Sequence, residues 1–283
     1  MTVDPPTPIS KLSDMSNLKR SHIMAELAKM AYRNITEAAQ KAKELGFKLV
    51  EFYEEGNAQG YRFVSDHDIV IACRGTEMEI GDVLADLKFH RVSACIDCAD
   101  VPGLVHRGFR AEACQLWDAM HNDILAESDR GVHKLWFTGH SLGAAMATLL
   151  AMFAQQTKDA LNVSGLVTFG SPRVGNREFT QFIDQVAPEC VRWVNNDDAV
   201  TKVPLNLLGH YSHCGHLMYL KEDGTFLNDV SWLKIFADRA LGRLYHIFCC
   251  RNLGFSDARD HSIENYLERI KSLSGEDLYQ NLM

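Results

Sequence analysis

Ser141 is the centre of Gly139-His140-Ser141-Leu142-Gly143, a spacing that suits a nucleophilic serine. The bulky apolar Leu135-Trp136-Phe137 before it reads as a buried strand. The Ala-, Leu- and Met-rich run from Ala144 to Phe153 reads as a helix packed on most sides. A chain that turns from strand to helix on the spot strains its apex residue, and glycines two places to either side supply the room that the apex needs. A serine hydroxyl alone is a weak nucleophile, so chemistry at Ser141 demands a base held by an acid. After a strand–serine–helix turn those partners follow in the order Asp or Glu, then His. "VRWVNNDDAVTKVP" offers Asp197 and Asp198 just past an apolar strand, in what would otherwise be an ordinary polar loop. Five histidines come later: His210, His213, His216, His246 and His261. His261, in "ARDHSIENYL", lies at a loop-to-helix junction that gives it reach, whereas His246 falls inside an apolar helical period and suits packing. The negative charge that develops on a substrate oxygen needs two backbone donors. One is the amide of Leu142, directly after the serine. The other is expected near Thr76, where "DIVIACRGTE" ends a strand and Gly75-Thr76 can aim an amide inward, with the threonine hydroxyl fixing the geometry. The plainer reading of that stretch is a strand-end turn.

Other groupings carry less. "GHYSHCGH" places His210, His213, Cys214 and His216 close together, but four ligands so tightly spaced, with no companion pair elsewhere, do not match structural zinc sites. "CIDC", Cys95 to Cys98, has the spacing of a redox pair but lacks the βαβ context of one. No metal and no organic cofactor is expected. In "EIGDVLADLKF", Ile80, Val83, Leu84 and Leu87 recur at helical spacing. That apolar face fits a mobile cover over the site and substrate contact, or equally a permanently docked surface helix. In "SWLKIFADRALGRLYHIFCC", Trp232, Phe236, Leu244 and Phe248 form an apolar stripe beside Lys234, Arg239 and Arg243. This suits a helix lying in a lipid interface, although most such stripes pack on their own protein. Cys249 and Cys250 are read as buried free thiols, with lipid attachment as the alternative.

Regular elements must hold these residues in place. "HIMAELAKMAY" predicts a first helix ending near Tyr32, and a second begins at Thr36 and stops at Gly46. "FKLVEFY", "GYRFV" and "DIVIACRG" predict an antiparallel meander. "AEACQLWDAMHNDIL" is helical by period, and strands then alternate with helices: "LWFTGH", the run after Ser141, "GLVTFG", Glu178 to Val186, and "CVRWVN". Such alternation means a mostly parallel sheet. "HLMYL" and "GTFLN" read as a late strand pair, and "HSIENYLERIKSL" as a closing helix. Residues 1–17 read as a disordered lead-in, and 18–283 as a single domain. A hydrophobic fraction of 46% supports a large core, and the net charge of -8, without basic runs, argues against a nucleic-acid surface. No apolar stretch approaches the roughly 20 residues that span a bilayer. No secretory signal is evident, and the eight scattered cysteines suit reduced thiols. The expected location is the cytoplasm, or outside the cell by a route that uses no N-terminal signal.

Several motifs, in fixed order from about Tyr32 to Leu267, resemble the class 3 lipases, typified by fungal triacylglycerol lipases. "CRGTE" is similar to the family's oxyanion loop, "DVLADLKF" to its lid segment, "VHRGF" to the opening of the next helix, and "GHSLGAAMATL" to the nucleophile elbow. "TFGSPRVGN", "RWVNNDDAVTKVPL" and "YSHCGHLMYL" match the elements that follow. The resemblance implies an α/β-hydrolase fold, ester hydrolysis and a Ser–Asp–His triad. It selects Asp198 over Asp197, supports Thr76, and makes "YSHCGH" structural. The chain departs from the family at Thr201, where a proline is usual, and in a longer segment between Asn228 and His261. On this reading the protein is a serine-dependent hydrolase of acylglycerols or related acyl esters, working on lipid. A phospholipase A1 or an acyltransferase on the same triad, or a lipase-like non-catalytic binding protein, are the alternatives, and oligomeric state is left open.

Overall fold

A computed structural model of the protein describes residues 10–75, 90–94, 101–129, 131, 134–156, 161–204, 210–228 and 256–280. Thr76, Ile80, Val83, Leu84, Leu87, the "CIDC" pair and the 231–250 segment lie outside these residues. The elements run α1 (Asn17–Met30), α2 (Ile35–Glu44), β1 (Leu49–Glu55), β2 (Ala58–Val64), β3 (Asp68–Cys73), β4 (Arg91–Ser93), β5 (Leu104–His106) and α3 (Arg107–Asp129). There follow β6 (Lys134–His140), α4 (Leu142–Gln156), β7 (Val163–Phe169), α5 (Arg177–Val186), β8 (Glu189–Asn195), β9 (His216–Leu220), β10 (Phe226–Asn228), α6 (Ser256–His261) and α7 (Ile263–Gln280).

Eight strands form one sheet in the order β1-β2-β3-β6-β7-β8-β9-β10, and β4 and β5 pair separately. Strands β3, β6, β7, β8 and β9 are parallel. The meander β1-β2-β3 and the pair β9-β10 are antiparallel. Side chains alternate across the sheet as a strand's period of two requires. Ile69, Ile71, Cys73, Leu135 and Phe137 face one core, built with α3, α4 and α5. Val70, Ala72, Trp136, Val167 and Trp193 face the other, built with α1, α2 and α7. Helices thus cover both faces, the α/β-hydrolase arrangement. Because the central strands are parallel, their C-terminal ends share one edge, and Ser141, Gly170 and Asp198 all follow strands there.

Two expectations are corrected. Part of the stretch read as a disordered lead-in is packed: Leu12 lies in a 3-10 turn and is fully buried. Its amide donates to Asp68 Oδ2 at 3.0 Å, and Trp136 Nε1 donates to Asp68 Oδ1 at 2.9 Å. The closing helix is in fact two, α6 and α7, which meet at Ser262, so His261 ends a short helix rather than following a loop.

Candidate active site

Ser141 lies between the last residue of β6 and the first of α4, and its φ is 58°. Glycine at 139 and 143 is a steric necessity. A Cβ on Gly139 would come within 2.4 Å of Gly143 C, and one on Gly143 within 2.2 Å of Cys73 O. The elbow is fixed by the Ser141 amide, which donates to Phe169 O of β7 at 3.0 Å. Leu142 opens α4, so its amide belongs to the first turn, whose N–H groups have no partner inside the helix. From Gly143 to Ala154 that helix is buried throughout.

The candidate acid and base meet directly. His261 Nδ1 lies 2.9 Å from Asp198 Oδ2 and 3.0 Å from Oδ1, and both residues are buried. The carboxylate accepts, so Nδ1 carries the proton, and Nε2 keeps the lone pair that a general base uses. Asp197, the other candidate, turns away and pairs with Lys202 Nζ at 2.7 Å. The Asp198 carboxylate also accepts from Tyr266 Oη at 2.7 Å and from the Val200 amide at 2.9 Å. Gly170, at φ 58°, leaves the space for this pair: a Cβ there would stand 2.8 Å from Asp198 Oδ2 and 3.0 Å from His261 Cε1.

His261 is anchored from two sides. His140, the residue before the serine, sets its ring 4.5 Å from that of His261 and tilted 36° to it, and its Nε2 lies 2.5 Å from the His261 carbonyl. A carbonyl only accepts, so His140 Nε2 bears hydrogen, and Nδ1 accepts from Tyr32 Oη at 3.0 Å. Burial and the neighbouring His261 hold the His140 imidazole well below the usual histidine range, so it stays neutral. On the other side Asn195 Nδ2 donates to the Asp260 carbonyl at 2.8 Å. The Asp260 carboxylate accepts from Asn196 Nδ2 at 3.0 Å and from the Asp197 amide at 3.3 Å. Burial pushes the Asp260 carboxyl up from its ordinary value. The Asn195 amide donates to Tyr266 Oη at 2.9 Å, and Arg269 Nη1 donates to Asn195 Oδ1 at 2.9 Å.

Sequence reasoning missed Tyr32, Gly170, Asn195, Asp260 and Tyr266. Gly170 and Asn195 sat inside quoted motifs, and Asp260 adjoins the chosen histidine. Tyr266 and Tyr32 gave no local signal, because only the fold brings them near.

The histidine cluster behaves as structure. His213 Nε2 donates to Thr201 O at 2.8 Å, and His216 pairs with Asn228. Among the described residues, the one group of metal-capable side chains that converges is Asp184, Cys190 and Cys214.

Residues 70–208 match the family model described as "Lipase (class 3)". A lipase of Caenorhabditis elegans is 39% identical over 150 residues, covering 51% of this chain and 41% of that protein. A chloroplastic phospholipase A1 of Arabidopsis thaliana is 46% identical over 67 residues, covering 24% of this chain and 15% of that protein. The triacylglyceride lipase of Rhizomucor miehei is similar in structure, with a TM-score of 0.67 at 21% identity, covering 87% of this chain and 94% of that one. The fold is that of the α/β-hydrolases. The chain resembles the class 3 lipase family over residues 70–208, just under half of its length. It spans less than half the length of the curated relatives it matches.

Proposed function

We propose that this protein is a serine-dependent carboxylic ester hydrolase of the lipase type, acting on acylglycerols or related acyl esters. The observation that carries the reading is the buried His261–Asp198 pair at the strand edge where Ser141 holds a left-handed backbone. In this mechanism Ser141 Oγ attacks the ester carbonyl while His261 Nε2 takes its proton. Asp198 keeps the imidazole in the required tautomer and stabilises the imidazolium. The Leu142 amide and Thr76 receive the oxyanion. His261 then protonates the departing alcohol, leaving an acyl-serine. Water, deprotonated by the same histidine, releases the acid and restores the serine. The solved structure of a triacylglycerol lipase described as having a serine protease triad at its catalytic centre supports the assignment. We further propose that 18–283 works as one unit. Helices from opposite ends of the chain, α1 and α7, share the core on one sheet face.

A fluorophosphonate probe tests the reading. Covalent labelling at Ser141, lost in Ser141→Ala, is expected together with hydrolysis of p-nitrophenyl esters. An unlabelled serine in a folded protein would make the chain a binding protein instead. The plant relative favours a second reading, phospholipase A1 activity. Release of the sn-1 fatty acid from phosphatidylcholine faster than from emulsified triglyceride would establish it. Contact with lipid aggregates through residues 80–87 belongs to the proposal. No described helix is long and apolar enough to cross a membrane. A lid at 80–87 predicts a jump in rate when substrate passes from dissolved to aggregated, and a smooth saturation curve would remove it.

A further inference from the structure

At the strand edge opposite the serine, Cys190 and Cys214 lie side by side. Cys190 Sγ, Cys214 Sγ and a carboxylate oxygen of Asp184 are all within 4.8 Å of one another. The two cysteines are unbridged, Cys190 buried and Cys214 half-buried. Strands β8 and β9 are parallel, with Val191 paired to His216, so both cysteines sit just before the paired register. Neighbouring strands lie about 4.8 Å apart, within the Cα separation that a disulfide spans. Gly215 keeps the gap open, since a Cβ there would stand 2.8 Å from Cys190 Sγ.

We propose that Cys190 and Cys214 form a dithiol site that a small-molecule disulfide, such as oxidised glutathione, closes to an intramolecular disulfide, clamping the start of β8 to the segment entering β9. The more exposed Cys214 thiolate attacks one sulfur of the oxidant, forming a mixed disulfide and expelling a glutathione thiolate. Cys190, as its thiolate, then attacks Cys214 Sγ and expels the second glutathione. The two thiol protons pass to the two released thiolates. The protein pair is oxidised by two electrons and the oxidant is reduced by two, so the exchange balances. The hydrogen bond with Cys214 and burial hold the Cys190 thiol well above its ordinary value, and the nearby Arg192 guanidinium, whose Nε has no hydrogen-bond partner among the described residues, offsets part of that rise. The same cation opposes a metal at the site. Asp184, the third member of the group, already accepts from the Gly215 amide at 2.7 Å.

The clamp adjoins the acid loop. His213, next to Cys214, donates to Thr201 O at 2.8 Å, and Thr201 Oγ1 donates to Asp198 O at 2.8 Å. Closing residues 190–214 into a ring therefore restrains the loop that bears Asp198. The inference does not depend on the proposed activity, because its readouts are covalent structure and stability.

The reduced full chain is incubated with oxidised glutathione, its free thiols are alkylated, and its peptides are mapped by mass spectrometry. The Cys190 and Cys214 peptides are expected to be joined. Tm should rise by roughly 5–10 °C, reverting with dithiothreitol. Cys214→Ser, at the more exposed position, should fold, form no such link and show no rise, and Cys190→Ala should behave alike. A glutathione adduct on Cys214 without the link, or a link with no change in Tm, would overturn the proposal. So would uptake of one equivalent of zinc by the reduced protein that blocks cross-linking, since that would make the pair a metal site.

Discussion

His261 Nδ1 faces both oxygens of Asp198 while Asp197 is held by Lys202, and this arrangement makes the two adjacent aspartates experimentally separable. Under the proposed mechanism Asp198→Asn reverses the tautomer that the histidine needs and lowers kcat by about 10⁴-fold, whereas Asp197→Asn retains most activity. Ser141→Ala and His261→Ala should each be near the background rate, and the double variant little worse than either. Steady-state kinetics on a soluble ester checks this, and an active Asp198→Asn beside an inactive Asp197→Asn would move the acid by one place. Tyr266 supports the same carboxylate. Tyr266→Phe removes a donor to a charged acceptor and leaves the Asn195 amide without its acceptor. It should cost roughly 1.5–3 kcal/mol of stability in urea unfolding and reduce kcat more than it changes KM. Unchanged stability would mean that water replaces the hydroxyl.

At the scale of elements, the glycines of the elbow set how closely α4 approaches β3. Gly143→Ala would drive a methyl group into the Cys73 carbonyl at 2.2 Å, backbone that cannot yield as a flexible side chain would. The expected outcome is loss of soluble protein or a destabilisation above about 3 kcal/mol, measured by denaturant unfolding. The elements were legible where pattern and period are strong. The meander, the parallel strands and α4 follow from runs such as "DIVIACRG" and the Ala-rich stretch after Ser141, whose burial on both faces needs no partner information. Asn34, which caps α2 by accepting from the Glu37 amide at 3.0 Å, sets the helix start at Ile35 beside the expected Thr36. The break at Ser262 was not legible. "HSIENYLERIKSL" is helical by period, and it is the pull of Asn195, Asn196 and Asp197 on Asp260 that holds α6 apart from α7.

For the whole molecule, two histidines outside the candidate triad couple folding to acidity. His140 and His213 are both held well below the usual histidine range, His140 by burial and the neighbouring His261, His213 by burial and the cations Arg192 and Arg173. Above about pH 6.5 both the folded and the unfolded chain leave these rings neutral, and they have no effect on stability. Below it the unfolded chain takes up protons that the folded one refuses. Stability therefore falls with pH, by up to about 1.4 kcal/mol per unit for each ring, until the folded values are reached. His213→Gln should make the slope of unfolding free energy between pH 6.5 and 5.5 shallower by up to that amount, as read by urea titration at each pH. A slope identical to the parent's would show that His213 charges readily in the fold. The candidate site was legible at this scale as a set of residue types in order: Ser141, Asp198 and His261 each lie next to a strand end or a helix junction, and the structure brings the last two into contact. Tyr32, Tyr266 and the N-terminal anchor at Leu12 could not, since their partners His140, Asp198 and Asp68 stand far off in the chain.

The bonds around Asp260 carry one more implication. His261 is set in place by Asn195, Asn196, Asp197 and His140, none of which belongs to the stretch between β10 and α6. Among the described residues, the histidine is docked like a plug in a socket built from the end of β8, the loop after it and the residue before Ser141. Because β8 and β6 both supply that socket, a slip of one strand against the other would carry His261 out of line with Asp198 and Ser141 together.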